Sequence, residues 1–158
     1  MISIIMGSQS DLETVQEAIN VLKDFKIKFE VKVLSAHRTP KELASYVEKA
    51  PYRGTQVFIA AAGGAAALAG VIAAHTVLPV IGIPMESQSL KGMDSLLSTV
   101  QMPAGIPVAS MAIGKAGAKN AALFALAILA VSDKKIRDAL VQYRTDMRAK
   151  IKNTKIKV

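Results

Sequence analysis

The 158-residue sequence contains no cysteine, no tryptophan and only two histidines. The absence of cysteine excludes disulfides and thiolate ligation, and two histidines provide too few nitrogen ligands for the usual zinc sites. Three tyrosines and four phenylalanines leave few side chains that could stack on a flavin ring. These absences argue against metal catalysis. They also make a flavin-binding electron carrier a less favoured alternative function for this chain.

Long hydrophobic runs are also missing. The longest apolar stretch, residues 121–131, is too short to span a bilayer, and the first residues lack the basic flank of a signal peptide. A chain of this length is sufficient for one domain with a substantial core. We therefore expect a single cytoplasmic domain over residues 1–158, with no membrane partner.

Positive charge is concentrated at one end of the chain. The net charge is +8, but residues 134–158 carry nine Lys or Arg against two acidic residues, whereas the preceding 133 residues carry eleven against ten. Aromatic residues do not alternate with these bases, so a solvated helix with a loose tail is favoured over a nucleic-acid site. We expect no nucleic-acid partner, and a nucleic-acid-binding tail remains the weaker alternative.

Short apolar runs alternate with helical patterns along the chain, as they do in parallel βα units. Apolar residues at spacings of three and four predict helices through residues 12–22 and 43–50. Five parallel strands with helices on both faces form a three-layer αβα sandwich, which binds ligands beyond the carboxyl ends of its strands. The predicted strands are residues 2–6, 29–35, 56–62, 79–84 and 107–113.

Two predicted C-terminal helices have apolar surface that must be buried, either against the sheet of the same chain or against another subunit. Residues 114–131 are apolar nearly all round, and an apolar stripe continues on the next helix. A small domain has little interior left for them, so packing against other subunits is favoured over folding back on the same sheet. The stripe consists of Ile136, Ala139, Leu140, Tyr143, Met147 and Ile151.

The segment SAHRTP places a histidine beside an arginine just before a helix start. Thr39 as N-cap, Pro40 at the first helical position and Glu42 completing a capping box predict where this helix begins. His37 and Arg38 therefore lie on the turn after the second strand, where we expect them to face a pocket.

Similar helix-start chemistry follows the first strand in GSQSDLE. Ser10 as N-cap and Glu13 three residues later predict a capping box, with Ser8 and Asp11 beside it. Hydroxyls and free N–H groups at a helix start suit phosphate or carboxylate oxygens, and Asp11 could accept hydrogen bonds from ribose hydroxyls. Helix capping alone explains this stretch equally well.

A third turn carries Gly63 and Gly64 directly after the third strand, which allows a ligand to approach the backbone closely. The segment is not the dinucleotide fingerprint GxGxxG, and close packing of a helix on the sheet is the other explanation for its small residues.

Together these turns predict a site for a small phosphorylated anion. Arg38 would hold phosphate through two donors, and a neutral His37 could accept a proton. His75 is expected near the C-terminal end of the following helix, a position more typical of a role at the helix dipole than of catalysis. No GxSxG elbow supports nucleophilic hydrolysis.

The motifs as a set are specific. MGSQSD, SAHRTP, AGGAA, VIGIP, DSLLSTVQMPAGIPVA and AIGKAGAKNAA occur in this order over nearly all of residues 2–131. The chain thereby resembles the class I N5-carboxyaminoimidazole ribonucleotide mutases of purine biosynthesis. The resemblance implies a flavodoxin-like sandwich, a homo-octamer with active sites between subunits, and neither cofactor nor metal.

The implied reaction transfers a carboxylate from the exocyclic nitrogen of an aminoimidazole ribonucleotide to C4 of the ring. His37 matches the histidine that relays the proton, and the backbone around Ala62 and Gly63 matches the lining of the ring pocket. Direct carboxylation of aminoimidazole ribonucleotide by CO2 is the alternative on the same scaffold. The substrate-binding set comprises Ser8, Ser10, Asp11, Ser35, Arg38, Ala62 and Gly63.

One stretch departs from the resembling family, which usually reads GGAAHLPG where this chain reads GGAAALAG. Ala67 and Ala69 therefore stand where a histidine and a proline are customary. Residues 85–95, MESQSLKGMDS, are small and polar enough to close over a bound ligand.

Overall fold

The chain folds around a five-stranded parallel sheet in the order β2-β1-β3-β4-β5. The computed structural model describes residues 1–156. The strands are β1 Ile2–Met6, β2 Phe29–Val33, β3 Val57–Ala62, β4 Val80–Pro84 and β5 Ala109–Ser110. The helices are α1 Leu12–Asp24, α2 Pro40–Lys49, α3 Leu68–Ala74, α4 Met93–Val100, α5 Gly114–Leu129 and α6 Lys134–Lys152.

Helices cover both sides of the sheet, which confirms the predicted flavodoxin-like three-layer αβα sandwich. Side chains alternate between the two faces of a strand. One face places Ile5 and Phe58 against apolar residues of α2 and α3, including Leu43 and Ile72, all fully buried. Truncating such a residue to alanine typically costs about 2–5 kcal/mol.

The predicted strand bounds are accurate for an interior strand and inaccurate for one edge strand. Strand β1 agrees with its predicted bounds, whereas β5 contains two paired residues instead of the seven predicted for 107–113. Pro107 cannot donate a backbone hydrogen bond, and β5 lies at the edge of the sheet with one neighbour. The apolar run therefore continues beyond the residues that pair.

A polar cluster is built into the amino end of the sheet. Ser3 is fully buried, and its hydroxyl bonds to Thr55 at 2.8 Å and donates to Glu30 at 3.0 Å, while Tyr46 OH donates to Ser3 Oγ at 3.3 Å. The Arg53 guanidinium stacks 4.6 Å from the centre of the Tyr46 ring. These contacts supply partners for polar groups that would be costly to bury alone.

The chain divides into two compact units, residues 1–125 and the residues from Leu126 onwards. The first contains the whole sheet. The second contains α6, whose N-cap Asp133 accepts hydrogen bonds from Lys135 N and Ile136 N. Helix α6 forms most of the predicted basic segment 134–158, and the last two residues of that segment, Lys157 and Val158, lie outside the described residues.

No helix within residues 1–156 has the length and the apolar character required to cross a bilayer.

Candidate active site

The turns that follow β1, β2 and β3 meet at one edge of the sheet and enclose a pocket of about 420 Å³. All eight site residues predicted from the sequence line this pocket. The lining also includes residues that the sequence reasoning did not assign to the site. The full lining is Gly7, Ser8, Ser10, Asp11, Ser35, Ala36, His37, Arg38, Ala62, Gly63, Ala66, Ala67 and Leu68.

The first turn is capped by Ser8, so the prediction of Ser10 as N-cap was wrong. A short 3-10 turn, Gln9–Asp11, precedes α1, and Ser8 forms the capping box with Asp11. Ser8 Oγ accepts from Ser10 N at 3.3 Å and from Ser10 Oγ at 2.9 Å, while Ser8 N donates to Asp11 Oδ2 at 3.1 Å. Glu13 pairs with Lys115 at 2.7 Å and completes no box. Both serines nevertheless lie at the pocket.

Asp11 is partly buried, and burial raises the pKa of its carboxyl group above the ordinary value of 3.8. The Ser8 N–H and the charge of Arg38 oppose this shift without cancelling it. Removal of the carboxylate from water therefore makes its charged form less favourable than in a solvated loop. A ligand hydroxyl that donates to Asp11 would restore part of the lost hydration.

The second turn is held by hydrogen bonds between Ser35 and the two residues that directly precede α2. Thr39 Oγ1 accepts from Ser35 N at 2.8 Å and donates to Ser35 O at 3.1 Å, and Arg38 N donates to Ser35 Oγ at 3.2 Å. Thr39 occupies the N-cap and Pro40 the first helical position, as predicted. The predicted capping box with Glu42 is absent because the Thr39 hydroxyl is engaged with Ser35.

Arg38 joins the first two turns. Its Nη2 donates to Gly7 O at 2.6 Å and its Nε donates to Ser35 Oγ at 3.4 Å. The guanidinium has five N–H groups, so donors remain for an anion beyond these two bonds. Its position beside the hydroxyls of Ser8 and Ser35 gives the pocket both charge and directional donors for phosphate.

His37 is exposed at the mouth of the same pocket. Within residues 1–156 its ring makes no hydrogen bond and no ion pair. Both ring nitrogens are therefore accessible to a ligand. Ala67 contributes only a methyl group to the wall, and His37 is the one imidazole among the lining residues.

The third turn brings bare backbone to the pocket through Ala62 and Gly63. Gly64 follows in a left-handed conformation, with φ of +64°, and its N–H donates to Ser95 Oγ at 3.0 Å. The sequence reasoning included Ser95 only as the last residue of the segment 85–95 and assigned it no role at the pocket wall. Its position in the first turn of α4, directly after residues 85–92, was the available signal.

The other candidate histidine lies away from this pocket. His75 caps the C-terminal end of α3, where its Nδ1 lies 3.1 Å from Glu48 Oε1. This agrees with the position predicted from the sequence. Among residues 1–156 there is no cluster of three or more His, Cys, Asp or Glu that could hold a metal ion.

Comparison with known proteins assigns the chain to a family. The sequence model of AIR carboxylase matches residues 1–150. The N5-carboxyaminoimidazole ribonucleotide mutase of Pyrococcus abyssi is 56% identical over 147 residues, covering 93% of this chain and 83% of the relative. The mutase of Saccharolobus solfataricus is 50% identical over 155 residues, covering 98% of this chain and 97% of the relative.

Solved structures agree with the sequence comparisons. A crystal structure of Treponema denticola PurE superposes with a TM-score of 0.84 and 31% sequence identity, covering 95% of this chain and 92% of that one. The sequence similarity and the shared fold extend over the strands and turns that form the pocket. The chain therefore belongs to the AIR carboxylase family.

Proposed function

We propose that this chain is an N5-carboxyaminoimidazole ribonucleotide mutase, which moves the carboxylate of its substrate from the exocyclic nitrogen to C4 of the imidazole in purine biosynthesis. One observation carries the proposal: an imidazole without a protein partner faces a pocket that also holds a guanidinium, a carboxylate and bare backbone. Two relatives named for this activity are 56% and 50% identical to the chain.

The three turns suggest how the ribonucleotide is bound. Arg38, with the hydroxyls of Ser8, Ser10 and Ser35, offers charged and neutral donors for the phosphate. Asp11 accepts hydrogen bonds from the ribose hydroxyls. The aminoimidazole ring then lies against the backbone of Ala62 and Gly63, where no side chain obstructs it.

His37 acts as the proton carrier in this proposal. Cleavage of the carbamate N–C bond releases CO2, and the exocyclic nitrogen takes up a proton. The electron-rich C4 then attacks CO2 to form the new carbon–carbon bond, and C4 loses its proton. An imidazole that delivers the first proton and accepts the second balances the reaction without any external acid or base.

Transient CO2 must be kept from solvent between these steps. Residues 85–92 are proposed to close over the ligand. The last three residues of the stretch predicted from the sequence, 93–95, form the first turn of α4, where Ser95 is fully buried. The backbone of residues 85–92 contains two adjacent left-handed residues, Lys91 at φ 52° and Gly92 at φ 88°. Limited proteolysis should show protection of this segment by saturating nucleotide, and unchanged cleavage would contradict closure.

The protein is further proposed to act in the cytoplasm as a homo-oligomer, with an octamer as the expected assembly. None of the residues of α6 is buried, although the helix carries an apolar stripe that includes Met147 and Ile151 at 52% and 76% exposure. Surface of this kind is typical of subunit interfaces. Sedimentation at monomer mass would refute the assembly. The ribonucleotide is the proposed ligand, with no nucleic-acid or membrane partner.

Direct carboxylation of aminoimidazole ribonucleotide by CO2 is the second candidate, because the matching family is described as AIR carboxylase. A spectrophotometric assay with two substrates separates the reactions. The mutase should convert the carbamate-bearing ribonucleotide much faster than aminoimidazole ribonucleotide with bicarbonate. The opposite preference would identify a carboxylase, and a yellow purified protein would favour the flavin-binding alternative.

A further inference from the structure

A buried hydroxyl outside the pocket is hydrogen-bonded to the glycine pair at its wall. Ser95, in the first turn of α4, is 0% exposed, and its Oγ accepts the Gly64 N–H at 3.0 Å. Gly64 lies 31 residues earlier in the sequence. Helix α4 is thereby connected to the loop that lines the pocket through Ala62 and Gly63.

Two hydrogen bonds connect this loop to residues that do not line the pocket. Met85 N donates to Ala62 O at 2.9 Å, and Ser95 Oγ accepts from Gly64. A Cβ placed on Gly63 would lie 3.4 Å from the Met85 Cβ and 3.9 Å from Ser95 Oγ, so the backbone packs closely on both residues. Only the Ser95 bond of these two comes from a side chain, and it can therefore be removed by mutation.

The same turn of α4 is connected to residues 85–92. Ser87 Oγ donates to Asp94 Oδ1 at 2.7 Å and accepts from Gly92 N at 3.2 Å. The hydrogen bond from Ser87 is the main cause that lowers the pKa of Asp94. Asp94 and Ser95 are adjacent, so one helix turn contacts both the segment proposed to close and the backbone at the pocket wall.

We propose that Ser95 is a positioning residue for the carboxylate transfer: by holding the Gly64 N–H, it fixes the Ala62–Gly64 backbone where the imidazole ring of the substrate lies. This inference rests on the proposed function, since it assumes that the ring contacts this backbone. Reacting atoms displaced by about 1 Å can reduce a rate by about 100-fold. A glycine pair without this anchor has more conformational freedom than any other dipeptide.

The kinetic consequence should fall on kcat. The phosphate is held by Arg38 on a different turn, so the substrate still binds when the glycine turn loosens. Ser95→Ala is therefore expected to lower kcat by about tenfold or more, with KM changed by less than about threefold. Amide hydrogen exchange at Gly64 should become faster in the same variant.

Thr99→Val provides a matched control on the same helix. Thr99 is 4% exposed, and its Oγ1 donates to Ser95 O at 2.7 Å. The substitution also removes one buried hydroxyl, but the Thr99 hydroxyl bonds to Ser95 O and not to the glycine pair. Its kcat and its Gly64 exchange rate are expected to stay within about twofold of wild type. Equal kcat losses in both variants would show a purely structural effect and overturn the positioning role.

The outcomes also separate this inference from the proposed function. If the wild-type protein lacks mutase turnover, the function fails, and hydrogen exchange at Gly64 decides the role of Ser95. Faster exchange in Ser95→Ala but not in Thr99→Val would support a positioning role, and unchanged exchange in Ser95→Ala would overturn it. If the alanine variant does not fold, Ser95→Cys keeps the volume with a weaker acceptor, and normal kcat in that variant would overturn the inference.

Discussion

Replacing His37 by asparagine tests the proton transfer at the centre of the proposed reaction. Asparagine retains a polar group that can contact a ligand, but it cannot accept or release a proton near neutral pH. The substitution therefore removes the chemistry and keeps the surroundings of the pocket, including Arg38 and the Ala62–Gly63 backbone.

The structure separates the effect on rate from an effect on stability. The His37 ring is exposed and makes no hydrogen bond or ion pair within residues 1–156, so its loss should change the free energy of unfolding by no more than about 0.5 kcal/mol. Removal of a general acid–base group typically lowers rates by about 100- to 10,000-fold. We expect kcat for His37→Asn to fall by at least about 100-fold, which corresponds to roughly 2.7 kcal/mol of activation free energy.

The assay follows the ultraviolet absorbance change of the carbamate-bearing ribonucleotide, while calorimetry measures nucleotide affinity. Binding within about threefold of wild type, together with the loss in kcat, would assign His37 to the chemical step. A variant with a near-normal rate would refute the proton-carrier role, and loss of both binding and rate would make His37 a binding residue instead.

The remaining predictions concern binding and pH-dependent stability. Arg38→Ala should raise KM by about 10- to 100-fold because charge-assisted hydrogen bonds to phosphate are lost, whereas binding of a phosphate-free analogue should not change; equal losses for both ligands would contradict phosphate recognition. Asp11→Asn should weaken binding but raise thermal stability at pH 7, because burial raises the pKa of Asp11 and its ionisation opposes folding. That gain should vanish near pH 3, where the wild-type carboxyl group is protonated in both the folded and the unfolded state. A gain that persists at pH 3 would refute burial of the ionised carboxyl group as its cause. Burial raises the pKa of Tyr46 to about 12 from an ordinary value of 10. The neutral Tyr46 side chain therefore contributes stability that is fully present below pH 10 and is lost as the pH rises towards 12. Urea unfolding at pH 8 and at pH 11 measures how much the free energy of unfolding falls at alkaline pH. In Tyr46→Phe this fall should be smaller than in wild type by about 1 kcal/mol, after allowance for solvent screening. An equal fall in both proteins would contradict the prediction.

Patterns local in sequence predicted the sheet and the positions of the ligand-binding turns. The interior strand β1 reads as an apolar run interrupted only by Ser3 because both of its faces are buried, and the structure has the same bounds. The turns after β1, β2 and β3 were expected together because parallel strands end at one edge of a sheet. Their side chains do line one pocket, while their roles in binding and catalysis remain predictions.

Competition between local partners accounts for the errors at the helix starts. Ser8 and Ser10 both satisfy the sequence preference of an N-cap, and the 3-10 turn that selects Ser8 is not visible in composition. The Thr39 hydroxyl could have capped α2, but it bonds to Ser35, four residues before it. In both cases several nearby groups compete for the same donors, and the backbone path decides between them.

The sequence by itself determined the alternation of strands and helices, because the spacing of hydrophobic residues and the choice of turn residues act over short distances. This alternation also determined the edge of the sheet at which His37, Arg38 and the glycine pair meet. Tertiary structure alone decided which distant groups complete the site. The Arg38 contact with Gly7 O spans 31 residues, as does the Ser95 contact with Gly64 N. No local pattern encodes such pairs, since they form only when the sheet brings separate turns together.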